Sequence, residues 1–180
     1  ETAPNAAGLR KSVYTEDLAV KHKFPLVRLH EGGGGSVAGP SKEKKGYGGD
    51  PVFARSRFKS VAQTLKEVPV VSAALGPVAG LPASRFVGSH FRIMVKDNAQ
   101  ILVAGPAVVS RAFGKDFTKE ELGGSDVHKK NGVTDNIAES EEDAFNQIKK
   151  FLSFFPANSY ELPPKKDSKD AIDRSEKLLE

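Results

Sequence analysis

The chain has 180 residues, of which 38% are hydrophobic and 28% are charged, enough apolar sequence for one domain with a core. The formal net charge is +4, and lysine and arginine are scattered among acidic residues rather than gathered on the basic face that nucleic-acid binding requires. There is no cysteine, which excludes disulfides, thiolate metal sites and a cysteine nucleophile. No window approaches the roughly 18 apolar residues of a membrane span. We therefore expect a globular domain that has neither a nucleic acid nor a membrane as its partner.

Helical and extended patterns alternate in the first third of the sequence. Residues 9–23 have helical character, residues 24–29 follow as a buried strand, and the glycine run 32–35 ends that strand. A loop rich in glycine, lysine and proline continues to about residue 50. The next segment carries apolar residues at helical spacing, and Pro69 ends it because proline cannot continue a helix. These apolar residues are Phe58, Val61, Ala62, Leu65 and Val68.

The most informative stretch is an apolar strand at 70–75 that breaks into a glycine-proline turn at 76–80 and leads toward a helix. A strand that ends in this way leaves backbone N–H groups without partners at one point. Such groups stabilise developing negative charge. The sequence therefore predicts an anion site built from main chain rather than from side chains.

The remaining sequence adds short strands and one strong helix. Strands are predicted at 91–95 and 101–104, separated by a tight turn at 96–98, and a further strand at 133–137. The helix starts at Ser140, whose hydroxyl can cap it with Asp143, and Pro156 ends it. Its predicted buried stripe consists of Ala144, Phe145, Ile148, Phe151, Leu152 and Phe155. Residues 157–180, rich in proline, lysine, aspartate and serine, are predicted to form a linker or arm.

Alternating strands and helices predict an α/β fold in which ligands bind at strand ends. Three blocks then carry a resemblance to a known family. They are residues 24–34, residues 68–80 with their Gly-Pro-Val-Ala-Gly turn, and residues 104–106 followed by 121–128, 132–135 and 141–144. In order and separation, these blocks resemble the carboxyltransferase (β) subunits of biotin-dependent acyl-CoA carboxylases, of the propionyl-CoA and methylcrotonyl-CoA type.

The resemblance covers roughly residues 9–165. It implies the crotonase (ClpP/crotonase-like) fold of repeated ββα units. Residues 1–156 would be part of a carboxyltransferase N-terminal domain, and residues 157–180 would lead toward a C-terminal half that this sequence lacks.

In such enzymes carboxybiotin releases carbon dioxide, the freed biotin nitrogen takes the α-proton of an acyl-CoA, and the resulting enolate attacks the carbon dioxide. The resemblance implies that the amides of Gly80 and Leu81 hydrogen-bond the thioester oxygen as it becomes negative. The family usually has a second glycine at the position of Leu81, but a leucine keeps its N–H. The resemblance also implies that three glycines and one proline of the other blocks bind the acyl-CoA: Gly33, Gly34, Gly105 and Pro106.

The same resemblance implies the partners. Biotin would be carried on a partner subunit, the biotin carboxylase or biotin carrier subunit, and acyl-CoA would be the substrate. The C-terminal half of the carboxyltransferase and further copies of the chain would complete the assembly. The identity of the acyl group and the compartment, the mitochondrial matrix included, stay open.

Two alternatives remain. Leu81, Pro82 and the loss of an arginine that the family typically has near Ser36 favour a non-catalytic paralogue that keeps the fold for assembly. A crotonase-fold hydratase or isomerase is weaker, because no glutamate pair lies near the predicted anion site. The four histidines lack the spacing of metal ligands, so no metal site is predicted; they are His22, His30, His90 and His128.

Overall fold

The computed structural model describes residues 6–32, 57–165, 167 and 169. The first six elements are α1 (Ala6–His22), β1 (Leu26–Gly32), α2 (Arg57–Glu67), β2 (Val70–Ala79), α3 (Leu81–Val87) and β3 (Phe91–Val95). The next six are β4 (Gln100–Leu102), α4 (Pro106–Phe113), α5 (Lys119–Gly123), α6 (Ser125–Asn131), β5 (Asn136–Ala138) and α7 (Glu141–Leu152). Among the described residues, none of the helices combines the length and the hydropathy that crossing a membrane requires.

The strands form one five-stranded sheet in the order β1-β2-β3-β5, and β4 also pairs with β2. Every pairing in this sheet is parallel. Parallel neighbours all point the same way, so the carboxyl ends of β1, β2 and β4 lie at one edge of the sheet. The predicted α/β class is confirmed.

The main core lies between the sheet and the helices α3 and α7. Phe86 of α3 is fully buried, as are Ile93 and Met94 of β3, and Ala144 and Ile148 anchor α7. A smaller cluster joins α1 to the starts of β1 and β2. Full burial of side chains this large stabilises the fold by about 1.5–3 kcal/mol each, so α3 and α7 are fixed mainly by packing.

The prediction that the second strand ends at residue 75 and turns at 76–80 is wrong. Strand β2 continues to Ala79, and only Gly80 leaves it. Proline is tolerated in this strand because of the pairing around it. On one side, Pro77 is paired with β4. On the other side, the residues of β2 that pair with β1 go from Ala74 directly to Val78, so Pro77 has no partner in β1. No bond from the missing N–H of Pro77 to β1 is therefore lost.

The predicted turn at 96–98 is present, but it does not reverse the chain. Both β3 and β4 run parallel to β2, one beside its first half and the other beside its last residues. The strand predicted at 133–137 is shorter and slightly later, at Asn136–Ala138.

Helix α7 has the predicted N-cap: the Asp143 amide donates to the Ser140 hydroxyl at 3.1 Å. It ends at Leu152 rather than at Pro156. The predicted burial of Phe145 is wrong, because its side chain is 36% exposed while Ala144 is fully buried.

The first residues of the predicted arm contact the rest of the protein. The Ser159 amide donates to the Lys23 carbonyl oxygen at 2.8 Å, which holds this segment beside the end of α1. The domain boundary after residue 156 stays a prediction.

Candidate functional site

The predicted strand–glycine–helix exit is formed by β2, Gly80 and α3. Gly80 has φ 69° and ψ −132°, a backbone conformation that residues with a side chain rarely adopt. Leu81 and Pro82 are the first two residues of the helix. Proline is favourable there because the first N–H groups of a helix have no intrahelical acceptor. The local sequence therefore suits an abrupt change from strand to helix.

The two predicted thioester donors differ in their surroundings. The Gly80 amide donates to the Leu102 carbonyl oxygen at 3.2 Å, which ties the end of β2 to the end of β4. The Leu81 amide has no hydrogen-bond partner among the described residues. Leu81 thus offers an unused N–H at the helix start, whereas Gly80 could act on a ligand only by giving up its bond to Leu102.

Gly105 and Pro106 lie at the same edge of the sheet as Gly80. Gly105 precedes α4 in an extended conformation, and a Cβ atom added to it would meet nothing within 4 Å. Ala79 is paired with Leu102, so the exits of β2 and β4 are neighbours. Both glycine–helix junctions therefore face a common region at the carboxyl edge of the sheet.

Strand β1 reaches this edge as well, because Gly32 is paired with Val78. Gly33 and Gly34 follow directly in the sequence but lie outside the described residues. Three of the segments singled out in the sequence thus leave adjacent parallel strands at one edge, where ligands of α/β proteins bind.

Strand β4 is held in place by the block at 121–128. His128 Nε2 donates to the Ile101 carbonyl oxygen at 2.8 Å, and its Nδ1 accepts from Asn131 Nδ2 at 3.2 Å. Gly123 packs so closely on β4 that a Cβ atom would lie 2.1 Å from the Ile101 oxygen. Gly123 and His128 of this block therefore support the strand whose end bonds Gly80.

Behind α3 lies a buried charged cluster that we call the Glu16 cluster: Glu16, Arg28, Ser60 and Arg85. Arg28 Nη2 donates to Glu16 Oε1 at 2.8 Å, and the Ser60 hydroxyl donates to Glu16 Oε2 at 2.9 Å. Arg85 Nη2 lies 2.7 Å from Glu16 Oε1 as an ion pair, without hydrogen-bond geometry. Burial lowers the pKa of Arg28, and Glu16 opposes this effect.

His30 lies beside the Glu16 cluster and is buried. Its Nε2 is 3.1 Å from the Ser72 hydroxyl, and its ring packs edge-on against Phe86. Burial, together with the charges of Arg28 and Arg85, lowers the pKa of His30 to about 3. His30 is therefore neutral at pH 7, and Glu16 is occupied by its partners, so neither residue is available as a base for the sheet edge.

The sequence profile of the family described as Carboxyl transferase domain matches residues 3–180. The chain belongs to this carboxyl transferase family. It is 32% identical over 170 residues to the methylmalonyl-CoA decarboxylase subunit alpha of Veillonella parvula, covering 94% of this chain and 32% of that protein. It is 31% identical over 165 residues to the propionyl-CoA carboxylase beta chain of Roseobacter denitrificans, covering 91% of this chain and 31% of that protein.

Solved structures agree on the fold. The carboxyl transferase chain matches the hexameric transcarboxylase 12S, crystallised with hydrolysed methylmalonyl-coenzyme A, at a TM-score of 0.68 and 25% identity, over 92% of this chain and 32% of that one. It matches a single-chain, multi-domain long-chain acyl-CoA carboxylase at a TM-score of 0.70 and 26% identity, over 85% of this chain and 14% of that one. These neighbours confirm the crotonase fold. The chain spans about a third of the length of the curated relatives it matches.

One surface hollow of this carboxyl transferase chain lies far from the predicted site. Pro25 and Pro69, at the starts of β1 and β2, line it together with Phe155 and Pro163. Gly80 is at the opposite end of β2, so this hollow is not the predicted acyl-CoA site.

Sequence reasoning missed the Glu16 cluster because its members come from four separate elements. A usable signal exists in β1, where Arg28 and His30 fall on the buried side of the strand's alternation. A charged residue at an inward-facing strand position indicates a buried partner.

Proposed function

We propose that this chain is the acyl-CoA-binding part of the carboxyltransferase component of a biotin-dependent acyl-CoA carboxylase. The observation that carries the proposal is the convergence of three strand exits at one sheet edge, together with the Leu81 amide at the start of α3, which has no hydrogen-bond acceptor in the described part of the chain. Membership of the carboxyl transferase family supports it, and so do relatives named as carboxylase and decarboxylase subunits.

In this proposal the Leu81 N–H hydrogen-bonds the thioester oxygen of the acyl-CoA. That oxygen gains negative charge when the α-carbon loses its proton or its carboxyl group. A fixed backbone donor aimed at it lowers the barrier by about 2.7–4 kcal/mol. The junction at Gly105 and Pro106 and the residues Gly33 and Gly34 border the acyl-CoA. The three glycines have no side chains, which lets the ligand approach the backbone, and a Cβ atom at Gly105 would meet nothing within 4 Å.

Biotin, carried on a partner subunit, supplies the carboxyl group and the base for this chemistry. One relative is named as a subunit of a biotin-dependent acetyl-/propionyl-coenzyme A carboxylase, which supports this assignment. The neutral His30 and the occupied Glu16 are consistent with a base that comes from outside the described residues. The remaining carboxyltransferase half and further copies of the chain complete the proposed assembly.

The test is decarboxylation of malonyl-CoA and methylmalonyl-CoA by the intact protein, with free biotin in place of the carrier. In this reaction the bond from the α-carbon to the carboxylate breaks and carbon dioxide leaves. The enolate takes a proton from the biotin N–H, and the biotin nitrogen then recovers a proton from water. We expect acyl-CoA formation that depends on both protein and biotin.

Binding of acyl-CoA without any such turnover would contradict the proposal and favour the non-catalytic paralogue. Hydration or isomerisation of an enoyl-CoA by the same preparation would favour the hydratase or isomerase instead.

A further inference from the structure

Helix α3 is too short to hold its own position. It has seven residues, Leu81–Val87, and isolated helices of this length are unstable in water. Its placement must come from contacts with the rest of the protein. Two of these are apolar, the buried Ala83 and Phe86. Further polar contacts come from the Glu16 cluster.

Arg28 of β1 hydrogen-bonds the C-terminal end of α3, which is opposite to Leu81. Its Nη1 donates to the Gly88 carbonyl oxygen at 3.0 Å and to the Arg85 carbonyl oxygen at 3.3 Å. Arg85 lies in the last turn of the helix and Gly88 is its C-cap, and carbonyls at this end have no intrahelical donor. A cation at this end also interacts favourably with the helix dipole. Arg28 therefore caps α3 from a strand of the sheet.

Glu16 of α1 fixes both arginines of the cluster. Its Oε1 is 2.8 Å from Arg28 Nη2 and 2.7 Å from Arg85 Nη2, and its Oε2 accepts from the Ser60 hydroxyl of α2. Glu16 is 3% exposed and Arg28 is 8% exposed, so water does not compete for these contacts. Arg85 follows Leu81 by about one helical turn, roughly 6 Å along the axis. The cluster thus connects α1, α2 and β1 to the helix that carries the unused amide.

We propose that Arg28, together with Glu16 and Arg85, is a positioning residue that fixes α3 so that the Leu81 amide meets the thioester oxygen of a bound acyl-CoA. This inference rests on the proposed function and goes beyond it. It assigns a role in thioester recognition to two buried side chains, Glu16 and Arg28, and to the largely buried Arg85, none of which touches the substrate. It also explains why the fold holds two arginines around one glutamate.

The experiment compares two ligands that differ only at the thioester oxygen, using the intact protein. Propionyl-CoA carries the carbonyl, and S-propyl-CoA has a methylene in its place. We expect wild-type protein to bind propionyl-CoA roughly 3- to 10-fold more tightly, the effect of one well-placed hydrogen bond. The ratio of the two affinities reports the position of the Leu81 amide, because a general loss of protein stability lowers the affinity for both ligands alike.

The main variant is Arg28→Met, which keeps the length of the side chain. It leaves Glu16 paired with Arg85, so no buried carboxylate is left without a cation. The Arg85 carbonyl also keeps a donor, the Ser89 hydroxyl at 3.2 Å. We expect the affinity for S-propyl-CoA to stay within about twofold of wild type and the thioester preference to disappear. Arg28→Lys, which keeps one charged donor, should restore part of the preference.

The matched control is Arg92→Met. Arg92 lies on β3, which β2 separates from β1, and its ion pair with Asp135, at 2.8 Å, does not involve α3. This variant should keep the wild-type preference. If Arg28→Met does not fold, as judged by its unfolding transition, Arg28→Lys is compared with wild type instead. A reduced thioester preference then supports the positioning role, and the full wild-type preference overturns it.

A folded Arg28 variant with the full wild-type preference overturns the positioning role and leaves the proposed function intact. Wild-type protein that binds both ligands equally overturns the role of Leu81. Wild-type protein that binds neither ligand overturns the proposed function itself, and with it this inference.

Discussion

At the residue scale, the site depends on backbone geometry at two glycines that look alike in sequence. Both precede a proline-containing helix start, but Gly80 has a positive φ of 69° and Gly105 an extended φ of −74°. Only the first conformation requires glycine. The resemblance implied a functional role for both positions. The sequence could not show that Gly80 is required for its backbone conformation, whereas Gly105 leaves open space for a ligand.

Replacement of each glycine by alanine separates these two roles. We expect Gly80→Ala to lower the free energy of unfolding by about 1–3 kcal/mol, because the added Cβ strains a backbone with positive φ. Gly105→Ala should change it by less than about 0.5 kcal/mol, since the new methyl group has open space. Denaturant unfolding of both variants checks this. Equal losses would show that the conformation of Gly80 is not the deciding feature.

A second use of Gly105→Ala tests its predicted place beside the acyl-CoA. The methyl group would occupy space that the proposal assigns to the ligand. We expect affinity for propionyl-CoA to fall about 10-fold, a cost of about 1.4 kcal/mol, in a protein of wild-type stability. Titration calorimetry measures it. Val103→Ala, a change at an almost fully exposed side chain, is the control and should bind as wild type does. Undiminished affinity of the Gly105 variant would remove this residue from the predicted site.

At the scale of elements, local patterns predicted the strands and the longer helices but not how far they extend, and they missed the short helices α4, α5 and α6. The Gly-Pro pair in β2 has the sequence of a turn, yet β4 pairs with Pro77 and the strand continues to Ala79. That pairing partner lies far along the chain, so no local pattern could reveal it. In α7 the cap at Ser140 was predictable because it involves only neighbouring residues.

The extent of the buried stripe in α7 is tested by two substitutions. Ile148 is 5% exposed and packs in the main core, whereas Phe145 is 36% exposed. We expect Ile148→Ala to reduce the free energy of unfolding by about 2–5 kcal/mol. Phe145→Ala should cost clearly less, about 1 kcal/mol, because much of its ring already contacts water. Chemical denaturation of both variants provides the comparison, and a larger loss for Phe145 would support the stripe predicted from the sequence.

At the scale of the whole molecule, the three blocks of resemblance identified the fold, and the topology then brought distant segments to one sheet edge. Within the third block, His128 and Gly123 contact β4 and support it from outside the strand. The Glu16 cluster was not predictable, because pairing between Glu16, Arg28 and Arg85 depends on how α1, β1 and α3 pack.

The buried His30 makes the stability of the whole molecule dependent on pH. Its pKa is about 3 in the folded protein and 6.5 as an unperturbed side chain, so the unfolded chain binds the extra proton between these values. Stability should therefore fall by about 1.4 kcal/mol for each pH unit well below 6.5, down to about pH 3.

The measurement is the free energy of unfolding between pH 7 and pH 4, for wild type and for His30→Asn. The asparagine is neutral throughout this range and keeps a hydrogen-bonding group near Ser72. Carboxylates contribute equally to both proteins, so the difference in slope isolates His30. We expect the variant to lose this part of the slope; identical slopes would mean that His30 is protonated in the folded protein.

The most direct test of the account is the structure of the intact protein with a stable acyl-CoA analogue that keeps the carbonyl oxygen. We expect this oxygen at hydrogen-bond distance, about 2.9 Å, from the Leu81 nitrogen, with the acyl-CoA at the carboxyl edge of β1, β2 and β4. An acyl-CoA bound elsewhere, or a Leu81 amide that points away from the bound carbonyl, would contradict it.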